Sequence, residues 1–94
     1  MKKLFRVVRQ TPVVSVKRQD GTMTQKCLLV VQEMGGKYDD SFAATMLGNM
    51  ASLKFQTNDL VYACLRFTTR DYNQQTYNDC TVQDIVAIQT NNFF

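Results

Sequence analysis

The 94-residue chain has no histidine and no tryptophan, one proline and four glycines. Without histidine it lacks the commonest general base and the commonest transition-metal ligand. Asp39-Asp40 is its one adjacent carboxylate pair. Sequence neighbours in an extended chain point to opposite sides, and this pair follows Gly35-Gly36, so it reads as a solvated turn rather than an acid/base dyad. These absences point away from an enzyme, a metal site and a cofactor. Cysteine is scarce and odd in number: Cys27, Cys64 and Cys80 are widely spaced, each within an apolar stretch. That pattern fits neither a disulfide framework nor a zinc site, and the three are expected as reduced, small core residues. No apolar run approaches the roughly 18 residues of a membrane span. Arg6 and Arg9 interrupt what would be the apolar core of a signal peptide, so the expected location is the cytoplasm, with no membrane partner.

What is present is β-forming sequence in short runs. The hydrophobic fraction is 45%, ordinary for a folded protein, and the length fits a single domain over residues 1–94. A first strand is expected from Leu4 to Val16, bent at Pro12, which cannot donate to a ladder. Asp20-Gly21 signals a hairpin turn. The second strand, Met23 to Glu33, is apolar on both faces at its centre, Cys27 to Val31, which requires cover on both sides. A short third strand follows at Ser41 to Thr45, and helical spacing gives Met46 to Phe55 as a short helix or loop. The fourth strand, Leu60 to Arg70, alternates most cleanly: Val61, Ala63, Leu65 and Phe67 on one face, Tyr62, Cys64, Arg66 and Thr68 on the other. A turn at Asp71 to Gln75 leads to a fifth strand, Thr76 to Ile88. A barrel about 4–88 is followed by a short tail, 89–94. Three strands, a connector and a closing hairpin are the order of an all-β, five-stranded OB-fold barrel, a partly open Greek key.

In that frame the end of the chain resembles a known family. Asn58-Asp59-Leu60-Val61 stands where OB-fold DNA-binding proteins carry a Gly-Asp-apolar-Val lead into their fourth strand. Arg70-Asp71-Tyr72-Asn73 through Tyr77-Asn78-Asp79 resembles the hairpin of a family of short bacterial OB-fold proteins. That family is related to single-stranded DNA-binding protein and primosomal replication protein. Asn58 replaces the usual glycine, Gln75-Thr76 replaces a basic-aromatic pair, and the Asn91-Asn92-Phe93-Phe94 tail lacks the acidic tip that recruits partners. The resemblance implies a role in DNA replication, repair or mobile-element maintenance.

Charge is uneven. Residues 1–37 carry eight cationic side chains against two carboxylates, a balance of +6, and residues 38–94 carry three against six, a balance of −3. Single strands are held by a cationic groove for phosphates and aromatic faces for bases. On an OB barrel that groove lies over strands two and three, between the first-to-second and fourth-to-fifth strand loops. The candidate nucleic-acid-binding residues are therefore Lys17 and Arg18 in the first wall, Lys26 on strand two, and Lys37, Tyr38 and Phe42 where strand two turns into strand three. Arg70, Tyr72 and Tyr77 form the other wall. The expected function is non-catalytic binding of single-stranded DNA, or RNA, with little sequence preference; the alternative is a protein–protein OB module. Arg66 reads as a surface residue touching a neighbouring strand or subunit. A homodimer or higher homo-oligomer is expected because one barrel interior covers only one face of each strand, so that Leu28 or Val30, and one of each pair Val7-Val8 and Val13-Val14, need another cover.

Overall fold

The computed structural model describes residues 1–35 and 40–89. Lys37, Tyr38 and Asp39, with the Phe93-Phe94 tail, lie outside the described residues. Six strands form one sheet: β1 (Lys2–Gln10), β2 (Val14–Lys17), β3 (Met23–Glu33), β4 (Ser41–Leu47), β5 (Leu60–Tyr72) and β6 (Gln75–Gln89). Their order is β1-β5-β6-β4-β3-β2, and an added β1–β3 pairing closes the ring. The closure between β4 and β6 is parallel, through Thr45 and Thr81. This is the connectivity of an OB barrel, with β1 and β2 together serving as its first strand.

Pro12 splits that strand. It has no N–H to give, and the ladder stops at Gln10 and resumes at Val14. Thr11 spans the gap, its N–H donating to Leu28 O at 2.9 Å and its Oγ1 accepting from Leu28 N–H at 2.8 Å. As the bend requires, β1 serves two neighbours: Lys2–Arg6 pair with β5, and Phe5–Gln10 pair with β3 around a bulge between Val7 and Arg9. Phe5, Val7, Leu29, Val31, Met46, Val61 and Leu65 fill the barrel and are fully buried.

The connector expected over Met46 to Phe55 as a short helix or loop is a five-residue 3₁₀ turn, Gly48–Ser52. Met46 and Leu47 still belong to β4, and Gly48 takes φ +63° where the strand ends. No side chain caps the turn, and so short a segment cannot meet the cost of helix nucleation. Further on, Asn58 adopts φ +74°, a left-handed position that usually selects glycine. Asparagine tolerates it, and its Oδ1 accepts a hydrogen bond from Arg6. The adjacent Asp59 is 2% exposed and accepts from Gln56 N–H at 2.8 Å, closing the turn into β5.

β5 keeps its alternation. Val61, Ala63 and Leu65 are buried, but Phe67 is 47% exposed because the β5–β6 ribbon leaves the barrel there. Every residue from Arg66 to Asn78 is exposed. The expected five-residue turn contracts to Asn73-Gln74, both at positive φ (51° and 64°), with Tyr72 paired to Gln75. A two-residue turn of that hand matches the twist of its strands. A bulge in β6 opposite Cys64–Leu65 shifts its parity, so Val82 and Ile85 both face inward.

Candidate nucleic-acid interface

Pairing decides which side chains share a face. On β3 the residues Cys27, Leu29 and Val31 point inward, so Thr24, Lys26, Leu28 and Val30 point out. Their partners are Val16 and Val14 on β2, and Leu47, Thr45 and Ala43 on β4. On the arm, Thr68 opposes Asp79, Arg70 opposes Tyr77, and Tyr72 opposes Gln75. These pairs stand on one side of the ribbon.

The two surfaces meet. A cleft of about 400 Å³ is lined by Val16, Lys26, Thr45, Leu47, Thr68, Arg70, Asp79 and Thr81. A second, of about 430 Å³, continues along Leu47, Met50, Arg66, Thr68, Thr81, Val82 and Gln83. A third, of about 440 Å³, is an apolar trough along Thr11, Pro12, Val14, Val16 and Leu28, with Lys26 at its edge. A further cleft of about 510 Å³ beneath the arm has Asp79 as its one charged side chain.

Within this surface Arg70 is held in place. Its Nε donates to Asp79 Oδ2 at 2.9 Å, and its guanidinium lies 4.9 Å from the centre of the Tyr77 ring. Tyr77 OH donates to Gln75 Oε1 at 2.6 Å. Tyr72, 62% exposed, stands diagonal to Tyr77 on the same face. Arg18 donates to Thr24 Oγ1 at 3.0 Å, which folds it over the outer face of β3. Its loop is fixed by Asp20, whose Oδ1 accepts from the Thr22 hydroxyl at 2.6 Å and the Thr22 N–H at 2.9 Å. Those donors hold the Asp20 carboxyl below the usual carboxylate range, the hydroxyl contributing most.

The structure thus gathers Arg18, Lys26, Arg70, Tyr72 and Tyr77. Two expected site residues lie elsewhere. Lys17 pairs with Met23, whose parity is that of Cys27, so it faces away from Lys26. Phe42 is half-buried on the inner side of β4, edge-on to Phe5 (ring centres 6.3 Å apart) and to Phe67 (5.6 Å), and packs against the core. Its alternation with Ala44 and Met46, both buried, is the signal that places it inside. Arg66, expected as a surface residue touching a neighbouring strand or subunit, lines the cleft beside Thr81 and Gln83 of β6. It shares the parity of Arg70 along β5, a relation visible in the sequence. Cys64 is a correction of another kind: it is half-buried on the outer face of β5, with Sγ 3.4 Å from Gln83 Oε1, and is no core residue. Cationic residues near the N-terminus also hold the barrel together. Lys3 pairs with Glu33 at 3.0 Å, and Arg6 donates to Asn58 Oδ1 and Gln32 Oε1.

No family model matches this chain, and no curated protein matches it. Among solved structures it is similar to the second OB-fold domain of replication protein A from Methanococcus maripaludis. The TM-score is 0.65 at 20% identity, over 90% of this chain and 79% of that one. The likeness establishes the OB fold.

Proposed function

We propose that this OB module binds single-stranded nucleic acid, without catalysis and with little sequence preference, along the cleft between the outer face of β3–β4 and the β5–β6 arm. The observation that carries the reading is that Lys26 and Arg70, far apart in sequence, line one cleft, with Arg66 continuing it and Tyr72 and Tyr77 on the adjoining arm face. Cations for phosphates and rings for bases are the two components that single-strand binding requires. The resemblance of the hairpin to single-stranded DNA-binding proteins, and a structural neighbour that is a domain of a replication protein, support a setting in DNA replication or repair.

Fluorescence anisotropy with labelled oligo-dT, oligo-rU and duplex DNA tests it. Oligo-dT is expected to bind more tightly than duplex, and Lys26→Ala and Arg70→Ala each to weaken that binding. The oligo-rU arm separates DNA from RNA, since only RNA presents a 2′-hydroxyl. The apolar trough at Pro12, Val14, Val16 and Leu28 favours a second reading, a protein–protein module. Absence of binding to all three probes would leave that one standing.

A further inference from the structure

At the barrel end of β5 an apolar row faces outward. Leu4 pairs with Tyr62, and Tyr62 with Val86, so the three side chains stand abreast across β1, β5 and β6. Leu4 is 39% exposed, Tyr62 44% and Val86 57%. Together they present an apolar patch on the order of a few hundred Å², comparable to the largest patch on a typical monomer, which is often functional. Leu28 and Val30, where the sequence located uncovered apolar surface, are half-buried on the face of β3 that carries Lys26. The nucleic-acid cleft uses β5 only from Arg66 onward. The bulge opposite Cys64–Leu65 bends the ribbon between the two stretches.

The next row says what covers the patch. Lys2 pairs with Cys64, and Cys64 with Asp84: a cation, a thiol and a carboxylate, with opposite charges on either side of β5. A two-fold axis along β5, between two such faces, exchanges the β1 side of one copy with the β6 side of the other. It sets Lys2 against Asp84 of a second copy twice over, and Leu4 against Val86. Tyr62 and Cys64 then meet their own counterparts on the axis, and so would Arg66, next on that face, whose like charge limits the contact to the stretch before the bulge. A surface complementary to itself under a two-fold is what an isologous interface requires.

We propose that this face closes a symmetric homodimer with Tyr62 and Cys64 at its two-fold axis. Facing sheets lie about 10 Å apart, so the two Cys64 thiols approach without the short Cα separation of a disulfide, within the span of a short bis-maleimide. A stable interface takes about 800 Å² from each partner, well above the apolar patch alone, so the dimer is expected to be weak and to dissociate on dilution.

Light scattering over a concentration series, with cross-linking, decides it. The mass is expected to rise from 10.8 kDa to twice that value. Val86→Lys, at an exposed position that the barrel interior does not use, is expected to weaken association about tenfold or more, as loss of a central contact does. A short bis-maleimide is expected to trap the dimer in the native protein and not in Cys64→Ser. Cys27 is buried, whereas Cys64 and Cys80 are both half-buried, so the Cys64→Ser variant is what assigns the cross-link. A monomer throughout the series, unchanged association in Val86→Lys, or a cross-link that survives Cys64→Ser overturns the proposal. So does a dimer abolished by Leu28→Lys rather than by Val86→Lys, because it would place the interface on the cleft.

Discussion

The cluster of Arg70, Tyr77 and Asp79 puts a carboxylate inside a cleft proposed to receive phosphates. The ion pair is exposed, 58% at Arg70 and 39% at Asp79, and such pairs contribute little to stability. If the cleft binds as proposed, Asp79 acts mainly on the ligand, competing for Arg70 and repelling phosphate. One unit charge about 6 Å away in water is worth roughly 0.7 kcal/mol. Asp79→Asn is expected to tighten oligo-dT binding about threefold at low salt, with the gain fading as salt rises and the melting temperature nearly unchanged. Tyr72 gives a second test on the same arm. At 62% exposure it has little packing to lose, whereas a stacked base is worth about 1–3 kcal/mol. Tyr72→Ala is expected to lower affinity about 5- to 150-fold without lowering the melting temperature, and Tyr72→Phe to change neither. A Tyr72→Ala protein that melts early yet binds as before would show a ring that only clamps the hairpin.

At the scale of elements, the β5–β6 arm differs from the barrel it grows from. Its strands are paired along their whole length, but from Arg66 to Asn78 no residue is buried. Its order rests on the ladder, on the Arg70–Asp79 and Arg70–Tyr77 contacts, and on the Thr76 hydroxyl donating to Asp71 Oδ1 at 2.8 Å. Elements with few buried apolar contacts open locally at low free energy. The turn adds a cost, because Gln74 holds φ +64°, where L-residues other than glycine are penalised by roughly 1–2 kcal/mol. Gln74→Gly removes that penalty and creates the Asn-Gly pair preferred in such turns. Slower amide exchange across Arg70–Tyr77 is expected, with little change in global melting, since the arm opens without the barrel. Faster or unchanged exchange would mean that the turn is not the arm's weak point.

For the whole molecule, the net charge of +3 conceals a division of labour. Lys3 and Arg6 are engaged within the barrel, while Arg18, Lys26, Arg66 and Arg70 stand along the outer face of β3 and the arm. Four phosphate contacts to a single strand give a slope of log K against log salt of about −2.8. Raising salt from about 50 to about 200 mM is then expected to weaken binding roughly 50-fold. A flat response would show that these cations are merely solvated.

Local chemistry written in the sequence determined much of this protein. Pro12 broke the first strand because it has no N–H, Asp20-Gly21 turned the chain, and the alternation from Val61 to Leu65 announced one buried face. Each depends on a residue and its immediate neighbours. The choice of a 3₁₀ turn for the connector, open as helix or loop in the sequence, and the contraction of the hairpin turn to Asn73-Gln74 depended on where β4 ended and how β5 paired with β6, which no local pattern records. The candidate site was legible as residue types but not as a surface. Arg66 joined it, and Lys17 and Phe42 left it, because a side chain's face is set by strand register, and a shift of one residue reverses it. The β6 bulge made such a shift, carrying Asp84 and Val86 to the outer face beside Cys64 and Tyr62. Only the closed barrel decided which cations share a cleft and which apolar residues share a row, because those relations join strands distant in sequence.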